Sequence, residues 1–193
     1  MSQYIRVAGL DPSMRNFGMV KGTLDITSGV FLPDTIYLAT TAADTKKQKV
    51  VRKNSLDLLR AKTLFEAMQK FLRDVDFVFV EIPVGSQTAR AMTSYGMCIG
   101  LLVSISHIPM IQVTPNEVKL ITGNGKNATK EQMIQWAYSL YPNLDWFRRK
   151  VKGVEELTKK NEHIADAIAA VHAGLESDQF KQLMALSGLK HKP

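Results

Sequence analysis

The chain has 193 residues, 45% of them hydrophobic, a net charge of +7 and an isoelectric point near 9.5. That is one domain's worth of chain with material for a full core, and its basic balance favours acidic partners, nucleic acid first. The single cysteine, Cys98, excludes an internal disulfide framework and fits a reducing compartment, and Arg6 and Asp11 interrupt the only early apolar run, so no signal peptide is expected and the expected location is cytoplasmic.

Ile5 to Leu10 is predicted as a buried strand, followed by β-rich segments at Phe17 to Leu24 and Thr35 to Thr40 that suggest a meander. Thr45 to Lys53 is a charged connection. From Asn54 to Phe71 the apolar residues Leu56, Leu59, Leu64, Ala67, Met68 and Phe71 recur at helical spacing, with Asn54 or Ser55 as cap. FVFVE, Phe77 to Glu81, is a short buried strand. A helix is expected from about Gln87 to Ser106; its Gly96 and Gly100 permit close packing, in the core or at a dimer seam. Met110 to Val113 is another buried strand, and Asn116 to Ile121 a helical turn. The loop GNGKNA then leads to a helix from Thr129 to Leu140 with Thr129 as N-cap. Pro142 to Lys160 is polar and irregular, and the last strong helix is Asn161 to Glu176. Ala91 to Asn116 carries no Asp, Glu, Lys or Arg, but its polar residues make it a buried helix and strand, so no membrane span is expected. Strands come first and then alternate with helices, which predicts an α/β fold with a mixed central sheet flanked by helices over residues 1–176, and a basic tail at 177–193.

Two of these strands end in acids. Asp11 follows VAGL and Glu81 follows FVFV. If the strands are neighbours, the two carboxylates lie about one strand spacing apart, roughly 5 Å, and repel unless a proton or a cation intervenes. In NEHIADAIA, His163 and Asp166 share a helix face, as do Glu162 and Asp166. Carboxylates from separate elements at one sheet edge hold hard divalent cations, and two such cations clamp the attacking and leaving oxygens of a phosphodiester. Singly, each residue has an ordinary reading: Asp11 as a turn residue, Glu81 as a solvated strand end, His163 and Asp166 as a solvated helix face. Their joint occurrence favours a site. Cys98 and His172 read as structural.

The constellation resembles the RuvC-type Holliday-junction resolvases of the RNase H-like superfamily. Four stretches carry the resemblance, in the family's order: GLDPS with Asp11, FVEIP with Glu81, TPNEVKLITGNGKNATKEQM, and HIADAIA with His163 and Asp166. Lys119 and Lys130 match two family lysines near the scissile phosphate. The resemblance implies an RNase H-like fold, a homodimer, Mg²⁺ or Mn²⁺ with two ions per site, no small-molecule cofactor, and paired nicks in a four-way DNA junction. It implies that Asp11 bridges both metals, that Glu81 and Asp166 complete the two sites, and that His163 is a ligand or a proton acceptor. Imidazole suits Mn²⁺ better than Mg²⁺. The chain departs from the pattern in IPVGSQTA, which lacks an aromatic after the second acid, in the glycine spacing of GNGKNA, and in a longer segment around RRKVKG. These departures fit a divergent, phage-encoded member.

Lys46, Lys47, Lys49, Lys126, Arg148, Arg149 and Lys150 are the candidate phosphate contacts, with solvated linkers as the plainer reading of the two basic runs. An actin-like ATPase half would need a second domain, which 193 residues do not supply. A catalytically silent binding module on the same fold would be marked by loss of an acid, and all are present. An RNase H-like nuclease acting on other branched or hybrid nucleic acid remains an alternative.

Overall fold

A computed structural model describes residues 3–41, 53–85 and 87–186. Three strands open the chain: β1 (Tyr4–Asp11), β2 (Asn16–Asp25) and β3 (Val30–Thr40). There follow α1 (Lys53–Phe71), β4 (Phe77–Glu81), α2 (Ala89–Val103), β5 (Met110–Val113), α3 (Pro115–Leu120) and α4 (Lys130–Leu140). A hairpin of β6 (Arg148–Val151) and β7 (Val154–Leu157) precedes α5 (Asn161–Glu176) and α6 (Asp178–Leu186). The main sheet has the order β3-β2-β1-β4-β5. The meander β1-β2-β3 is antiparallel, whereas β4 and β5 run parallel to β1. The expected mixed sheet is therefore present, and β1 and β4 are hydrogen-bonded neighbours.

The sheet separates two apolar layers. On one face Leu64, Met68 and Phe71 of α1 and Cys98, Leu101 and Leu102 of α2 cover Ala8, Leu10, Val78 and Val80. On the other face α5 lies across β1, β2 and β4, with α3, α4 and α6 around it. Alternation along each strand sends neighbouring residues to opposite layers. Helix α5 is alanine-rich because it sits directly on the strands. Ala165, Ala167, Ala169 and Ala170 are fully buried, and larger side chains would lift it away. Buried Asp57 on α1 is satisfied by Arg60 and by a two-pronged pair with Arg90 at 2.5 and 2.8 Å, joining the first turns of α1 and α2.

Several boundaries differ from expectation. β3 starts at Val30 instead of Thr35, because Pro33 is tolerated on an edge strand where a register shift between Lys21 and Gly22 accommodates it. Residues 148–157, expected to be irregular, form the β6–β7 hairpin. Its turn, Lys152-Gly153, has φ of 48° and 86°, the primed-turn geometry that matches strand twist. Helix α1 begins at Lys53, ahead of the expected cap. Helix α2 is shorter than expected at both ends, and Thr88 caps it. Thr129 caps α4 as expected, in a reciprocal box with Gln132. Beyond residue 176, α6 buries Phe180 and Met184 against the core. Lys46, Lys47 and Lys49 lie outside the described residues, as do positions 187–193 of the expected tail. Among the described residues no helix is long and apolar enough to cross a membrane.

Candidate active site

Because β1 and β4 are parallel and pair Leu10 with Val80, their terminal acids Asp11 and Glu81 emerge at the same sheet edge. Helix α5 starts over that edge. Gly18, paired with Asp11 across β1 and β2, lies beneath the backbone of His163, where a Cβ would fall 2.0 Å from the His163 carbonyl oxygen. Gly9 makes the same kind of space under the Ala167 carbonyl, at 2.1 Å. Backbone-to-backbone seating sets how far His163 and Asp166 stand from the strand ends.

The result is one cluster. His163 Nδ1 and Asp11 Oδ2 are 2.8 Å apart, and both side chains are nearly buried at 17% and 15% exposed. Burial raises the Asp11 carboxyl, and the hydrogen bond from His163 opposes that rise. Glu81 is pushed up to about 8, first by burial and then by the charge of Asp11, with Lys119 pulling the other way. Asp166 is also pushed up to about 8, by burial and then by Asp11 and Glu81. Burial lowers the His163 imidazole, but the hydrogen bond and charge of Asp11, with Glu162 and Asp166 behind it, outweigh this and leave it raised. Three carboxyl groups thus share one poorly hydrated field, and burial together with mutual repulsion disfavours their charged forms. A cation in their midst would relieve that repulsion.

Among the described residues no three of these groups converge closely enough to cage an ion as they stand. Two of them are instead joined by the His163–Asp11 hydrogen bond. The chemistry of the set, three carboxylate groups and one imidazole at a sheet edge, fits a divalent cation that prefers oxygen and accepts nitrogen.

The structure brings together Asp11, Glu81, His163 and Asp166, and puts both predicted lysines within electrostatic reach. Lys119, near the end of α3, acts on Glu81, and Lys130, in the first turn of α4, acts on Asp11. Lys126 lies in the loop between these helices. Arg148, Arg149 and Lys150 occupy strand β6, exposed, with Arg148 over the ring of Tyr138 and Arg149 facing Glu156. The hairpin is joined to the site by Asn161. This fully buried side chain accepts from the Phe147 N–H at 3.0 Å and donates to the Phe147 carbonyl at 2.8 Å. Sequence reasoning does not single out Asn161 and gives Glu162 no role. Glu162 pairs with Lys130 at 2.7 Å and lies 3.4 Å from His163 Nε2. The run Asn161-Glu162-His163 is the signal that could have found them: three consecutive polar residues opening a helix that is mostly apolar thereafter.

Cys98 is buried in α2, its thiol pushed up to about 12 by burial and the charge of Asp11, which fits a core residue and not a nucleophile. His172 is structural, with its Nε2 2.8 Å from the Tyr141 hydroxyl.

No protein-family model matches the chain, and no curated protein matches it. Among solved structures, Thermus thermophilus RuvC in complex with a Holliday junction substrate superposes at a TM-score of 0.58 with 16% identity, over 88% of this chain and 93% of that one. A second Thermus thermophilus RuvC structure gives the same score and identity over 96% and 98%. The protein has the RuvC-type, RNase H-like fold, with Asp11, Glu81, His163 and Asp166 gathered at one edge of its mixed sheet.

Proposed function

We propose that the protein is a divalent-metal-dependent endonuclease that resolves four-way DNA junctions by paired nicks. The observation that carries this reading is the convergence of Asp11, Glu81, Asp166 and His163 on a single sheet edge, flanked by Lys119 and Lys130. Mg²⁺ or Mn²⁺ bound there would supply Lewis acidity toward the phosphate and a hydroxide-like water. Asp11, central to the cluster, would hold both ions, with Glu81 and Asp166 each on one side. His163 has Nδ1 on Asp11 and Nε2 3.4 Å from a Glu162 oxygen, and Nε2 is the atom that would ligate an ion or accept a proton. Lys119 and Lys130 meet the charge that develops on the phosphate. Arg148, Arg149 and Lys150, carried on a hairpin that Asn161 fixes to α5, hold duplex arms by their phosphates together with Lys126.

Paired nicks call for two sites related by a two-fold axis, hence a homodimer. The apolar outer face of α1 and α2 supports that state. Leu58, Leu59 and Phe65 line a groove of about 620 Å³, and Met92, Ile99 and Val103 of α2 are exposed as well. Gly96 and Gly100 are also exposed, with nothing within 4 Å of an added Cβ, so their small-residue stripe is open to a partner. With Cys98 reduced, the cytoplasm is the fitting compartment.

The test is incubation with a four-way junction, a flap, an RNA–DNA hybrid and plain duplex in Mg²⁺, Mn²⁺ or EDTA. Symmetric cuts in the junction, abolished by EDTA and by Asp11→Asn while binding persists, are expected. Cleavage by Asp11→Asn at the wild-type rate overturns the metal assignment. Equal cutting of all four substrates overturns junction selectivity.

A further inference from the structure

Three consecutive residues at the start of α5 each tie that helix to a different element: Asn161 to the hairpin, Glu162 to α4, His163 to β1. The first and third have evident work. Glu162 does not belong to the acid set assigned above, and its placement is unusual. Its carboxylate is 16% exposed, while the lysine it holds is 71% exposed. An exposed lysine on a flexible four-carbon stem has no direction of its own. Here the direction comes from a carboxylate that is itself fixed at the base of the site. The contacts run in one line: Lys130 Nζ to Glu162 Oε2 at 2.7 Å, Glu162 Oε1 to His163 Nε2 at 3.4 Å, His163 Nδ1 to Asp11 Oδ2 at 2.8 Å.

We infer that Glu162 is a positioning residue that aims the Lys130 ammonium at the edge of the acid cluster, where a phosphate must lie to be cut. It acts through Lys130 and does not touch the reacting atoms. That Lys130 meets a phosphate rests on the nuclease reading above; that Glu162 fixes its direction does not. The plainer account is a surface ion pair, contributing a little stability and nothing else. The two accounts part on whether the effect of Glu162 passes through Lys130 into turnover.

The experiment has two arms. In the first, the metal-free protein is reductively methylated and Lys130 is compared by mass spectrometry with Lys126, in the preceding loop. Since Lys130 is open to solvent, slow labelling reports its ion pair and not burial. Glu162→Gln should speed labelling of Lys130 by about threefold and leave Lys126 unchanged. In the second arm, junction cleavage is measured in Mn²⁺. Glu162→Gln should lower kcat about tenfold with KM within about twofold, because misaiming by an ångström is costly whereas uniform binding is untouched. The same substitution in a Lys130→Ala background should cost nothing further. Unchanged labelling, an unchanged kcat, or a loss that persists in the Lys130→Ala background each overturns the inference, the last assigning Glu162 to His163 or to the ions. A wild-type protein that cuts no DNA in either metal sinks the nuclease reading, and the labelling arm still decides whether Glu162 fixes Lys130.

Discussion

Replacing Gly18 by alanine tests the seating of α5 most directly. The added Cβ would sit 2.0 Å from the His163 carbonyl oxygen, 2.5 Å from its carbonyl carbon and 2.9 Å from its Cβ. Cβ atoms essentially never approach another heavy atom closer than 3.0 Å, so α5 and β2 must part by about 1 Å at this point. The nearest atoms are backbone, and they cannot rotate away. The parting is borne at the His163–Asp11 pair, whose 2.8 Å would open to nearly 4 Å and end the hydrogen bond. Overpacking of this kind costs about 1–3 kcal/mol in stability. The effect on cleavage should be larger, about a hundredfold, since the proposed ligands on α5 would shift against those on the strands. Gly174→Ala is the control. Its Cβ would meet the buried Phe79 ring at 2.1 Å, toward the far end of the same helix from His163 and Asp166. Thermal melts of both variants and junction cleavage well below their midpoints are the assay. Comparable destabilisation with loss of cleavage in Gly18→Ala alone is expected. A folded Gly18→Ala protein that cuts at the wild-type rate refutes the argument.

Acidification should weaken the fold through His172. Burial depresses its imidazole from 6.5 to about 4, so between those values the unfolded chain takes up a proton that the folded one refuses, and stability falls as pH drops. The loss should reach about 2 kcal/mol at pH 5 by urea unfolding and be absent from His172→Gln; an equal pH response in both proteins refutes it. Arg148→Ala, Arg149→Ala and Lys150→Ala combined should weaken junction binding and flatten the dependence of log K on log salt by about 0.9 for each phosphate no longer neutralised. An unchanged slope assigns the hairpin to solvent. Light scattering should give twice the 21.5 kDa chain mass. Gly96→Leu, at a position where an added Cβ meets nothing within 4 Å in the single chain, should keep the fold and give monomers that nick one strand. A dimer that survives it moves the seam elsewhere.

Most of the sheet is legible in the sequence because its strands are apolar runs bounded by turn residues, and Asp11 and Glu81 stand out as charges at the ends of such runs. The buried face of α5 announces itself by periodicity. What the sequence hides is hidden for physical reasons. The β6–β7 hairpin pairs charged residues with charged residues, Arg149 with Glu156 and Lys150 with Glu155, so it shows no alternation of polar and apolar. Its Lys-Gly turn lacks the Asn or Asp that usually marks one. Helix α6 buries only Phe180 and Met184, too few to stand out by periodicity. Gly9 and Gly18 read as unremarkable residues in strands; only the helix passing over them explains why a side chain there is unwelcome. Glu162 is visible as one acid among several, and its bond to Lys130 depends on a docking of α4 on α5 that no local pattern encodes.

The bond between His163 and Asp11 spans 152 positions of the chain. At a synthesis rate of about 5–20 residues per second, Asp11 leaves the ribosome roughly 8–30 s before His163 does. The antiparallel meander and β4 can pair during that interval, but α5, which covers β1, β2 and β4, is not yet made. That apolar face of the nascent sheet therefore stays open until α5 has emerged, a window in which a holdase has something to bind. The same order of events means that the acid cluster is completed only when α5 docks on the strands. A nascent chain has its strand acids but not His163 and Asp166, and on the proposed nuclease reading a truncated product ending before α5 would be inert.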